Sequence, residues 1–93
     1  MIVGIMQVEV HVPAAQSLKD KRSVTKSLRE QLRGRFNIAV AELDPNEKWQ
    51  RATIGIAAIA QERAAIDEVF GGVARWLRDT RLVDLIRIEH EYV

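Results

Sequence analysis

Residues 2–12 alternate in character. Ile2, Gly4, Met6, Val8, Val10 and Val12 share one parity, and Val3, Ile5, Gln7, Glu9 and His11 share the other. A period of two among β-branched residues predicts a strand with one strongly apolar face. Pro13 closes it, since proline has no N–H for a ladder. The period then changes. Ser17-Leu18-Lys19-Asp20 reads as a helix start, a serine cap followed three residues on by an acid, with Asp a weaker partner than Glu or Gln. Val24, Leu28 and Leu32 follow at i, i+4 and i+8, which predicts one buried stripe on a helix to about Arg33, with Gly34 as its stop.

A second strand is predicted over Phe36–Leu43, with Phe36, Ile38 and Val40 on one parity, and Asp44-Pro45-Asn46 is turn chemistry. A third strand, from about Ala52 to Ala60, completes a hairpin. Its apolar face carries Ala52, Ile54, Ile56, Ala58 and Ala60. From about Glu62 to Asp79, the residues Ile66, Val69, Phe70, Val73 and Leu77 mark a second helix. Gly71-Gly72 opposes it at roughly 1 kcal/mol per glycine. The stripe keeps its phase on both sides of the pair, so one helix is predicted. Gly72 and Ala65 share a side on which another element can approach closely. In a last strand, Leu82–Val93, Leu82, Ile86, Ile88 and Tyr92 alternate with Arg87, Glu89 and Glu91.

The order is βαββαβ. Right-handed crossovers place both helices on one face of a four-stranded antiparallel sheet, with the first and third strands central. The fold class is therefore α+β, a ferredoxin-like sandwich in one domain spanning residues 1–93. The opposite sheet face is left uncovered. Parity assigns to it Ile5, Gln7, Ala39, Ala41, Ala57 and Ile59, with Leu85, Arg87, Glu89 and Glu91 alongside. An apolar centre on a solvated face marks a contact surface. Self-association as a homodimer is the plainer reading, and a small-ligand or partner platform is the alternative. RNA stacking of the kind that needs aromatics on the central strands is not expected there.

Composition adds exclusions. The 93 residues are 47% apolar and 29% charged, a globular balance, and hold no cysteine, which removes disulfides and thiolate chemistry. No run reaches the ~18 apolar residues of a membrane span, and the N-terminus lacks signal-peptide features. A cytoplasmic protein with no membrane partner is expected.

Net charge is only +1, but it is polarised. Lys19, Lys21, Arg22, Lys26, Arg29, Arg33 and Arg35 stand against Asp20 and Glu30 alone, so residues 19–35 carry +5 and the remainder −4. At about 100° per residue, Arg22, Lys26, Arg29 and Arg33 fall in one stripe away from Val24, Leu28 and Leu32, with Lys19, Lys21 and Arg35 extending it. Such a stripe is an electrostatic footprint for nucleic acid. A merely solvated helix face is the alternative.

Little else suggests chemistry. His11 and His90 lack metal-ligand spacing, and no phosphate-cradling or nucleophile motif occurs. Glu42, Asp44 and Glu47 read as a solvated hairpin, and Trp49 and Trp76 as packing or interface residues. No metal, cofactor or catalytic constellation is expected.

Three stretches resemble the bacterial YlxP-like family: Ser17-Leu18-Lys19-Asp20-Lys21-Arg22, which follows its SLK-x-KR pattern, Phe36-Asn37-Ile38-Ala39-Val40-Ala41-Glu42, and Trp49-Gln50-Arg51-Ala52-Thr53-Ile54-Gly55. The resemblance runs the length of the chain in order. It implies a domain of unknown function with a ferredoxin-like fold. Genes of that family often lie beside those of translation initiation factor two and ribosome-binding factor A, which implies ribosomes or RNA. The functional expectation is a non-catalytic RNA- or ribosome-associated binding protein. A small-ligand, regulatory or protein-interaction module using the open sheet face is the alternative.

Overall fold

The computed structural model describes residues 1–43 and 50–93. The turn expected at Asp44-Pro45-Asn46, the acids Asp44 and Glu47, and Trp49 lie outside the described residues. Among the described residues, six elements follow in chain order: β1 (Ile2–His11), α1 (Leu18–Arg35), β2 (Ala39–Leu43), β3 (Arg51–Ala60), α2 (Arg63–Asp79) and β4 (Asp84–Tyr92). The strands form one antiparallel sheet in the order β2-β3-β1-β4. This is the ferredoxin-like βαββαβ arrangement, with β1 and β3 central.

The alternation in β1 sets the layering. Gly4, Met6, Val8 and Val10 are buried, as is Val12 just beyond the strand. Their β3 partners Ala58, Ile56, Ile54 and Ala52 are buried beside them. Leu28 and Leu32 from α1 and Ile66, Phe70, Val73 and Leu77 from α2 close the core from the same side. The helix layer meets the sheet most tightly at Gly4. A Cβ there would lie 2.5 Å from Ile66 Cγ2 and 3.0 Å from Phe70 Cε2, so α2 rests on the bare backbone of β1. Gly72 plays the same part for Phe36, whose Cε1 would lie 3.0 Å from an added Cβ. The expected close approach at Gly72 is thus made by the residue that ends α1. Its neighbour Gly71 has nothing within 4 Å of such a carbon.

Ser17 caps α1 as expected: its Oγ accepts from Asp20 N at 3.1 Å. The acid reaches back one residue further than a capping box requires, with Asp20 Oδ2 accepting from Gln16 N at 3.1 Å.

Three expectations need correction. Gly34 does not stop α1, which runs on to Arg35 and ends at Phe36, whose N–H donates to Leu32 O at 3.0 Å. Anchoring of Phe36 on Gly72, rather than a glycine turn, ends the helix, and β2 consequently begins at Ala39 instead of Phe36. The last strand begins at Asp84 instead of Leu82 and is not strictly alternating. Glu9 pairs with Arg87 but Val10 pairs with Leu85, so Ile86 is an extra residue, a β-bulge. The bulge carries Leu85 to the helix side against the core and leaves Ile86 45% exposed, the reverse of the alternation expected.

At the far end of β4, Tyr92 OH donates to the Asp67 carboxylate on α2, and the Arg63 guanidinium lies 4.9 Å over the ring. The hydrogen bond to Asp67, followed by burial, raises the phenol above its ordinary 10.0. A raised folded-state value means the bond stabilises the fold below the unfolded pKa and is lost as pH climbs through the folded one. Tyr92→Phe should therefore lower the melting temperature at pH 8, and the gap from the parent should narrow above about pH 10.

Glycine substitutions test the packing. Gly4→Ala should destabilise the fold by about 1–3 kcal/mol, because Ile66 and Phe70 must move. Gly71→Ala should stabilise it by about 0.8–1 kcal/mol, because the added methyl meets nothing. Urea denaturation measures both, and equal effects would contradict the packing described.

Candidate functional site

Each layer presents one distinctive surface. The first is the flank of α1. Its buried stripe is Lys21, Thr25, Leu28 and Leu32, at i, i+4, i+7 and i+11, while Val24 is only partly buried. Arg22, Lys26, Arg29 and Arg33 repeat that spacing one residue later. They therefore lie about 100° around the helix, on its side rather than its crest. Arg22, Lys26 and Arg33 are exposed, and Lys19 is exposed near the N-terminal end. Arg29 is half-buried on the inner margin, with its Nε donating to Thr25 O at 3.3 Å. Arg35 is exposed but leaves the stripe, its guanidinium 5.6 Å over the Trp76 ring on α2.

Lys21 is the exception among the seven cations. It is 3% exposed and belongs to the core-facing stripe, so its assignment to an exposed phosphate-binding surface is corrected. No buried side-chain polar atom among the described residues lacks a hydrogen-bond partner, and Lys21 is not without a partner. A signal for this existed in the sequence. Phasing the stripe on Leu28 and Leu32 extends it back through Thr25 to Lys21 as readily as to Val24, and a lysine stem packs as an apolar chain.

The second surface is the open sheet face. Register arranges it in rows across β2, β3, β1 and β4. Leu43, Thr53, Glu9 and Arg87 form one row, Ala41, Gly55, Gln7 and Glu89 the next, and Ala39, Ala57, Ile5 and Glu91 the third. Val3 and Ile59 continue beyond them. Ile5 and Ile59 are exposed at 38% and 58%. One end of this face is charged and internally paired. Arg51 binds Glu9 at 2.8 Å, His11 Nδ1 meets Asp84 Oδ2 at 3.2 Å, and Arg87 binds Glu89 along its own strand. Toward the other end the surface sinks into an apolar trough.

His90 turns to the helix side and packs edge-on against Phe70, with ring centroids 5.8 Å apart. No group of three or more His, Asp or Glu positioned to hold a metal occurs among the described residues. Among the described residues, no helix is long and apolar enough to cross a membrane.

A family model described as "Protein of unknown function (DUF503)" matches residues 3–90. The chain belongs to that family. A curated relative, "Uncharacterized protein YlxP" of Bacillus subtilis (strain 168), is 31% identical over 67 residues, covering 72% of this chain and 73% of that protein. Among solved structures, the de novo designed protein Ferredog-Diesel is similar at a TM-score of 0.43 and 11% identity, over 94% of this chain and 83% of its own. The YlxP-like resemblance read from the three sequence stretches is thus met by both the family model and the relative. The function of the DUF503 family is not defined, so the surfaces of this chain carry the functional argument.

Two lysines of one helix should behave oppositely. Lys21→Ala should cost at least about 1 kcal/mol through lost packing, whereas Lys26→Ala should fall within about 0.5 kcal/mol of the parent. Chemical denaturation of the two variants measures the contrast.

Proposed function

We propose that this DUF503 chain is a non-catalytic cytoplasmic protein that binds RNA, on the ribosome or in transit to it, through the flank of α1. The observation that carries the reading is the exposed row of Lys19, Arg22, Lys26 and Arg33 on one side of a single helix. From Lys19 to Arg33 the row is about 21 Å long at 1.5 Å per residue, enough to follow several consecutive phosphates. No ion pair among the described residues engages these four side chains. Their charge is thus available to a polyanion.

Lysine and arginine on phosphates supply position and affinity rather than base readout. Binding should accordingly be sensitive to salt and tolerant of sequence. Ribosomal RNA is the class of target that the family resemblance implies. The open face supports no stacking role, because its central rows carry Ile5, Gln7, Gly55 and Ala57 where base platforms carry aromatics.

Labelled structured and single-stranded RNA should bind the parent protein and lose roughly a hundredfold in affinity between about 50 and 200 mM salt if four phosphates are contacted. Arg22→Glu, Lys26→Glu and Arg33→Glu combined should abolish binding while leaving the fold intact, because all three side chains are exposed. Arg29 is left unchanged because of its bond to Thr25. Salt-insensitive binding, or binding undiminished in the triple variant, would overturn the proposal.

A further inference from the structure

Four positions at the centre of the open face carry no more than a methyl group: Ala39 and Ala41 on β2, and Gly55 and Ala57 on β3. Register sets them side by side, Ala41 against Gly55 and Ala39 against Ala57. Larger side chains stand around them. Leu43 leans over Gly55 so closely that a Cβ there would lie 2.9 Å from its Cδ1. On the other side stand Ile5 and Gln7 of β1, then Glu89 and Glu91 of β4. A low floor between taller walls makes a trough of about 540 Å³. That volume is within the roughly 300–1,000 Å³ of small-molecule sites.

Charge selects the occupant. The floor is apolar, and the β4 wall is a pair of exposed carboxylates. Arg87 already holds Glu89, but Glu91 has no ion pair or hydrogen bond among the described residues. Among the described residues, no lysine or arginine lines the trough. An organic anion would be repelled by this wall, and a neutral apolar molecule would leave it unanswered. A second copy of the chain is a poor match as well. The arginines its own open face could bring, Arg51 and Arg87, are engaged by Glu9 and Glu89.

We propose that the trough is a binding site for a small organic cation with an aliphatic body, of the alkylamine or alkylguanidine class. Its chain lies over Ala39, Ala41 and Ala57, beside the Leu43 side chain that covers Gly55, and its charge is set against Glu91. This site is on the layer opposite the basic flank of α1 and stands independently of RNA binding.

The test uses the isotopically labelled full chain titrated with octylammonium, octanol and octanoate, each followed by amide chemical shifts, with the oligomeric state measured by sedimentation. Octylammonium should give saturable shifts at residues 39, 41, 55 and 57, octanol should bind more weakly, and octanoate should not saturate there. Glu91→Gln should weaken octylammonium binding about three- to fivefold, in the range of a partly exposed ion pair. Ala41→Leu fills the trough from an exposed position. It should abolish saturable binding while the rest of the amide spectrum is retained. Equal affinity for all three probes, shifts centred away from these residues, no saturable binding, or a dimer that seals this face would each overturn the proposal.

Discussion

Both helices press on one side of the sheet, and the other properties of the molecule descend from that asymmetry. The βαββαβ order with right-handed crossovers favours that arrangement. The core can therefore draw on only one parity of each strand. In β1 that parity is Gly4, Met6, Val8 and Val10, and in β3 it is Ala52, Ile54, Ile56 and Ala58. Gly4 is where the constraint is sharpest. Helix α2 reaches the sheet because β1 offers backbone instead of a side chain to Ile66 and Phe70. The same asymmetry frees the opposite parity from packing duties, and that parity holds the small residues of the trough.

The two surfaces are held by different physics. The cations of α1 sit on a helix whose inner stripe is anchored by Leu28 and Leu32, so the basic row has a fixed direction even though each side chain is solvated. The trough is shaped by omission, since its concavity comes from missing side-chain volume on β2 and β3. A helix flank rich in long cations suits a large, diffuse polyanion, and a floor of methyl groups suits something small. A chain of 93 residues can carry both because they occupy opposite layers and compete for no residue.

Much of this was legible in the sequence. Alternation in β1 and β3 and the stripe of α2 are strong periodic signals, and the Ser17 cap is chemically specific, so element order and sheet topology followed. Where sequence and structure differ, the cause is a contact that spacing along the chain does not show. Ile86 is an added residue in a strand, and with Leu85 beside it two adjacent apolar residues leave the period of two without a unique phase. Lys21 reads as surface by its charged head, whereas its four methylenes form a stem that α1 lays against the core. Gly34 resembled a stop, but Phe36 decides where α1 ends because it has Gly72 to land on. In each case a tertiary partner outweighed a local rule.

The bulge at Ile86 has a consequence for how molecules of this protein meet in a crowded cell. β4 is a border strand nine residues long, with one row of backbone donors and acceptors facing outward. A straight border of that length is a template onto which another extended chain can zip, the first step toward fibrillar assembly. The extra residue bends and twists the border partway along, and Arg87, Glu89 and Glu91 make the remainder strongly hydrated. One surplus isoleucine thus works as a guard for colloidal stability. A relative lacking it would have to keep its border in solution by charge alone.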